Sequence, residues 1–242
     1  VTAVIRSELL RSVSGFSVLA IFLVAVLLPV YVLCSDGSHF DLAGLEPAAA
    51  TLQVLQPLAW TALSAAFVGA YTVTREYYYG SMDRTLVAVG FRRAFAGKLV
   101  AGALVAVGTS LVICVLWTAA AAILLTREGQ SFVLGDDAWG MYGGALVGAV
   151  LGALLGGAIG WITRNYYVTA AILLAYPLTV EFALLRTAPE VARYSPGLVL
   201  AAIGAPAYQG RLLDLLPALG VALVWTGGLV GIAWARGRRA VA

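Results

Sequence analysis

Six long runs of apolar residues, separated by short polar interruptions, set the pattern of this chain. The runs occupy 16–34, 51–74, 99–125, 138–163, 166–185 and 215–235. A helix rises about 1.5 Å per residue, so each run reaches roughly the thickness of a bilayer's hydrocarbon layer. The pattern predicts an all-α integral membrane protein with six transmembrane helices. The first run follows a segment, 1–15, in which Ile5, Leu9, Leu10 and Val13 alternate with Arg6, Glu8 and Arg11, the signature of a helix lying in the membrane interface. That run lacks the small-residue cleavage site of a signal peptide and is expected to remain as a span. The second extends back to Pro47 and is expected to begin in a short outer helix around Gln53 and Gln56.

Between spans two and three lies the longest charged interruption, Arg75 to Lys98. Ser81 is placed to cap a helix, Asp83 sits in its first turn and Gly90 can end it. Met82, Leu86 and Val89 fall at i, i+4 and i+7, giving one apolar stripe beside Asp83 and Arg84. So short a helix is marginal alone and must lie on lipid headgroups or a partner. In span four, Gly140, Gly144, Gly148, Gly152, Gly156 and Gly160 recur every four residues, a packing ridge against a second helix. That helix can belong to this subunit or to another copy. The region 186–214 carries Pro189, Pro196 and Pro206, and its uncharged stretch 197–209 is too short to cross. It is expected to dip into the outer leaflet as short helices.

Composition agrees with the pattern: 62% hydrophobic and 11% charged residues are far from the roughly 25% charged of a soluble domain. Charge then orients the spans. With both termini inside, the inner face carries Arg6, Arg11, the five basic residues of 75–98, Arg164, Arg236, Arg238 and Arg239, whereas the outer face has only Arg127, Arg186, Arg193 and Arg211. The excess predicts cytoplasmic N- and C-termini and a cytoplasmic 75–98 segment. Cys34 and Cys114 lie in apolar runs and are read as packing residues. The single histidine, His39, has no second imidazole to make a metal site. No basic stripe with interleaved aromatics points to nucleic acid.

Reactive chemistry is sparse. There is no HExxH, no GxSxG and no Walker sequence, since Gly97-Lys98 is followed by Leu99 and Arg92 stands where a P-loop would begin. Neither catalysis nor a nucleotide site of its own is expected. Glu181, near the outer end of span five, is either a solvated or structural carboxylate or part of a translocation path or outer gate.

The order Glu76, Gly80-Ser81-Met82-Asp83, Gly90-Phe91-Arg92-Arg93 and Gly97-Lys98 resembles the loop before span three in permease subunits of type 2 ATP-binding-cassette (ABC) exporters. Ser81 stands where threonine is usual there, and Gly90 where proline is common. The interfacial first helix, the polar region before span six and the Arg-rich tail extend the resemblance to the layout of the chain. It implies a multi-pass protein of a bacterial-type plasma membrane, driven by a separate ATP-binding subunit that carries ATP and Mg, and paired with a second permease as homodimer or heterodimer. The segment 81–89 becomes a coupling helix, with Glu76, Gly80, Ser81, Asp83 and Arg84 at the ATPase and Met82 and Leu86 filling its groove. Arg92, Arg93 and Lys98 become anchors at lipid phosphates. A hydrophobic or amphipathic substrate (drug, antibiotic, peptide or lipid) fits the apolar spans. The rival readings are an ATP-independent channel or secondary transporter, and a non-transporting membrane scaffold.

Overall fold

Apolar runs with no internal charge can satisfy their backbone polar groups in lipid only as helices, and the chain follows that rule. The computed structural model describes residues 2–13, 23, 27, 42, 44–205 and 210–239, and among them there are helices and no strands. In chain order these are α1 (Thr2–Val13), α2 (Pro47–Leu55), a tighter turn at Gln56–Trp60, α3 (Thr61–Tyr78), α4 (Met82–Val89), α5 (Phe91–Arg127), α6 (Asp136–Thr163) and α7 (Tyr166–Ala175). A wide π-type turn, Tyr176–Glu181, leads into α8 (Phe182–Thr187), then α9 (Pro189–Ala192), α10 (Pro196–Gly204) and α11 (Leu215–Arg239). Five continuous helical segments, Pro47–Tyr78, Phe91–Arg127, Asp136–Thr163, Tyr166–Thr187 and Leu215–Arg239, are long and apolar enough to cross a membrane. The chain is therefore read as membrane-embedded. The expected first span, 16–34, and His39 lie outside the described residues.

Two helices form the centre. α3 and α6 share the most extensive contact in the chain, and the glycine row is the reason. A Cβ placed on Gly152 would lie 2.3 Å from the Ala62 carbonyl oxygen, and one on Gly156 would lie 1.9 Å from that of Ala66. From Gly144 to Gly160 the ridge is thus spent inside one subunit: Gly148 meets the Ala62 methyl group, and Gly144 meets the Ile203 carbonyl of α10. Such close approach gains van der Waals contact where lipid offers no hydrophobic drive. α3 reciprocates, since Gly69 faces the Ala153 carbonyl.

Turns at one end of the bundle position the polar elements. Gly80, at φ 63°, ends α3: the Ser81 N–H donates to the Glu76 carbonyl and the Gly80 N–H to that of Tyr77, the paired bonds of a Schellman motif. Gly90, at φ 77°, separates α4 from α5. Ser81 occupies the N-cap position of α4 as expected, but its side chain makes no capping bond. Arg164 (φ 54°) and Asn165 turn the chain from α6 into α7, and Asn165 Oδ1 accepts from the Val168 N–H at 3.1 Å.

At the other end, α10 is buried along almost its whole length, from Leu198 to Gly204. Glu181 explains its seating. This carboxyl group is buried, and its Oε1 accepts the Gly197 N–H at 2.8 Å, satisfying one of the free N–H groups at the start of α10. A Cβ on Gly197 would fall 2.1 Å from Glu181 Oε2. Gly197→Ala should therefore push Glu181 off the helix end and lower stability by about 1–3 kcal/mol, read as a lower thermal midpoint in detergent. An unchanged midpoint would show that the cap contributes nothing.

Candidate functional site

The polar segment between α3 and α5 does not hang free. Its base is clasped by a ring of four charges drawn from three helices. Lys98 of α5 is fully buried, and its Nζ lies 2.9 Å from Glu8 Oε2 of α1, 3.0 Å from Glu76 Oε1 of α3 and 3.3 Å from the Thr72 carbonyl oxygen. Three acceptors surround an ammonium with three N–H donors. Arg11 Nη1 closes the ring, 3.0 Å from Glu76 Oε1 and 3.9 Å from Glu8 Oε1. Arg75 adds a bond from its guanidinium to the Arg11 carbonyl and lies over the Tyr71 ring.

This geometry corrects two expectations. Lys98 is not a lipid anchor, because its ammonium points into the bundle, where burial without these carboxylates would be prohibitive. Arg92 and Arg93, six and five residues earlier, do stand exposed at the start of α5. Glu76 likewise does not face outward. It is buried as the shared partner of Lys98 and Arg11. Neither pairing was visible locally, since Glu8 is 90 residues from Lys98. The available signal was a lone acid, Glu8, next to Leu9-Leu10 in an amphipathic helix.

α4 follows this clasp in the chain and faces it across an open cavity. Successive residues turn by 100° in a helix, so Met82 and Leu86 share one face, Asp83 and Val87 another, and Arg84 with Ala88 a third. The first face turns inward: Met82 is buried in a cluster with Val73, Phe91, Phe95, Leu99 and Trp161, and Leu86 packs on its edge. Phe95 and Trp161 have ring centroids 5.3 Å apart, and Phe91 and Trp234 5.1 Å apart. Met82 and Leu86 therefore fill the protein's own core rather than a groove elsewhere, a thioether against aromatic rings being a favourable contact. The second face is bare. Val87 is 89% exposed, and Asp83 is exposed beside it.

No protein-family model matches this chain, and no curated protein is significantly similar to it. What the site can do must come from its own geometry. Among the described residues no group of three or more His, Cys, Asp or Glu side chains is placed to hold a metal ion. Instead, α4 is a short element seated on an aromatic cluster through Met82 and Leu86 and joined through Gly80 and Gly90 to two long helices whose ends are tied together by Glu76 and Lys98. The α11 tail joins the same end, where a Cβ on Gly237 would touch the Phe91 ring at 2.4 Å. Arg92, Arg93, Arg236, Arg238 and Arg239 are thus gathered on one side of the bundle.

Proposed function

We propose that this chain is the transmembrane permease subunit of an ATP-driven exporter, with α4 as the foot on which a separate ATPase subunit bears. The observation that carries the reading is the division of α4 into an inward face that locks it and an outward face, Asp83 and Val87, that is left bare. Val87 and Asp83 stand side by side on a helix whose opposite face is buried, so this face is open to a partner. Force applied there reaches α3 and α5 through the packing of Met82 and Leu86 on the aromatic cluster, as a two-state transporter driven by a ligand bound on another subunit requires.

The remaining parts of the proposal follow from charge and length. The stretch 16–34 supplies a sixth crossing, and the basic end of the bundle faces the cytoplasm of a bacterial-type cell. α1 lies in the inner interface. Two such subunits, alike by default, enclose a path for a hydrophobic or amphipathic substrate. The chain binds no nucleotide itself; ATP and Mg belong to the motor subunit.

Val87→Asp is the direct test. It leaves the inward face of α4 intact, so insertion and thermal stability should match the wild type, whereas retention of the ATPase subunit on affinity purification should fall at least about tenfold. Undiminished retention would remove α4 as the docking element. Solute movement by vesicles containing only this chain would favour an ATP-independent transporter.

A further inference from the structure

A cavity of about 490 Å³ opens between α1, the end of α3 and the third face of α4. Its lining carries the guanidinium groups of Arg11, Arg75 and Arg84 together with the hydroxyl residues Ser81 and Thr85. We propose that this cavity binds the phosphate group of an amphiphile from the adjoining leaflet.

Charge balance gives the sign of the ligand. Two carboxylates, Glu8 and Glu76, also line the cavity, but both are already committed to Lys98, which lies buried behind the wall, and Glu76 to Arg11 as well. Among the described residues Arg84 brings a positive charge to this partly enclosed space that neither acid takes up, which an anion relieves. Arg84 stands in no ion pair among the described residues. Arg11 and Arg75 are held in position by their bonds to Glu76 and to the Arg11 carbonyl, so the site is built before the ligand arrives. Guanidinium forks match phosphate oxygens in pairs. Shape and place narrow the class. Ala88 and Val89 give one wall an apolar strip beside the charges, and α1, an amphipathic helix, forms the opposite wall. A phosphodiester on a glycerol backbone meets both, and basic pockets between helices at a membrane face hold such headgroups. The site stands whether or not a motor subunit docks on Asp83 and Val87.

The test uses the purified full-length chain in detergent, titrated with dioctanoyl phosphatidylglycerol, with a neutral dioctanoyl glycerol of equal chain length, and with inorganic phosphate, reading the thermal midpoint and native mass. The anionic phospholipid is expected to bind and raise the midpoint, the neutral lipid not. Arg84→Gln, an exposed position that leaves the fold intact, should weaken phosphatidylglycerol binding about tenfold, and Thr85→Val in the same direction by less. A shift with inorganic phosphate that Arg84→Gln also weakens supports the phosphate site with a soluble source for its ligand. Equal binding of neutral and anionic lipid, no binding of either phosphate compound, or phosphatidylglycerol binding unchanged by Arg84→Gln would each overturn the assignment.

Discussion

Lys98→Met is expected to destabilise the protein by about 3–5 kcal/mol, the usual effect of removing one partner from a buried ion pair. The side chains of Glu8 and Glu76 are only 5% and 7% exposed, so without the ammonium two carboxylates stand close together with little water, and Arg11 alone, its side chain 57% exposed, stays near both. The expected readout is a sharply lower thermal midpoint of the detergent-solubilised chain, with α1 released to protease. A triple variant, Lys98→Met with Glu8→Gln and Glu76→Gln, should recover much of the loss, because neutral groups of similar shape carry no uncompensated charge. Had Lys98 reached lipid phosphates, the single substitution would cost no more than a surface pair, about 0–1 kcal/mol. A midpoint within that range would mean the ring does not hold α1.

The same ring marks the limit of what the sequence discloses. Helices were legible because long apolar runs in lipid have one solution; α6 and α11 begin at or near their runs, whereas α5 begins well ahead of 99, at Phe91, and the run 51–74 is divided among α2, the tighter turn and α3. The short helix Met82–Val89 was legible too, from the spacing of its apolar stripe, Asp83 in its first turn and Gly90 at its end. What that stripe touches was not. A stripe states that a face is buried, and both the chain's own aromatic cluster and an outside groove satisfy it. Lys98 failed for a related reason: a cation near the end of a span fits a headgroup as well as a buried acid, and the deciding residue, Glu8, is set against it only by the packing of α1 on α5.

Glu181 and the region before α11 divide similarly. Short helices broken by prolines were expected there, and α9 and α10 are such helices. The carboxylate's role depended on a backbone N–H sixteen residues away, which no local pattern specifies. At both ends of the bundle, then, an acid holds one helix against another: Glu76 against α1 and α5, and Glu181, for which a structural role was one of the two readings, against α10. The group left without such duty is Arg84, together with the bare Asp83 and Val87 face. These lie on the one element joined through glycines to two long helices, so any outside contact there acts on the packing of α3 and α5.

That packing yields the second large effect. Gly156→Leu should separate α3 from α6 and leave little properly assembled protein. A Cβ at this position would stand 1.9 Å from the Ala66 carbonyl oxygen and 2.6 Å from its carbon. These are backbone atoms, which cannot rotate aside, so one helix must move bodily. Movement there also opens the contacts at Gly152 and Gly69, each with a backbone oxygen within 2.3 Å of the built Cβ. The cost exceeds the roughly 1–3 kcal/mol of an ordinary overpacked core position, since several close contacts are lost together. The partner row was present in the sequence as Ala62, Ala66, Gly69 and Ala70, small residues at helical spacing on the second run. Gly140 supplies the control. It belongs to the same fourfold repeat as Gly156, yet a Cβ there meets nothing within 4 Å, so Gly140→Leu should leave the elution profile and thermal midpoint in detergent near those of the wild type. Equal damage from both substitutions would trace the effect to helix propensity or insertion, whereas damage at Gly156 alone locates the central contact of the bundle inside one subunit.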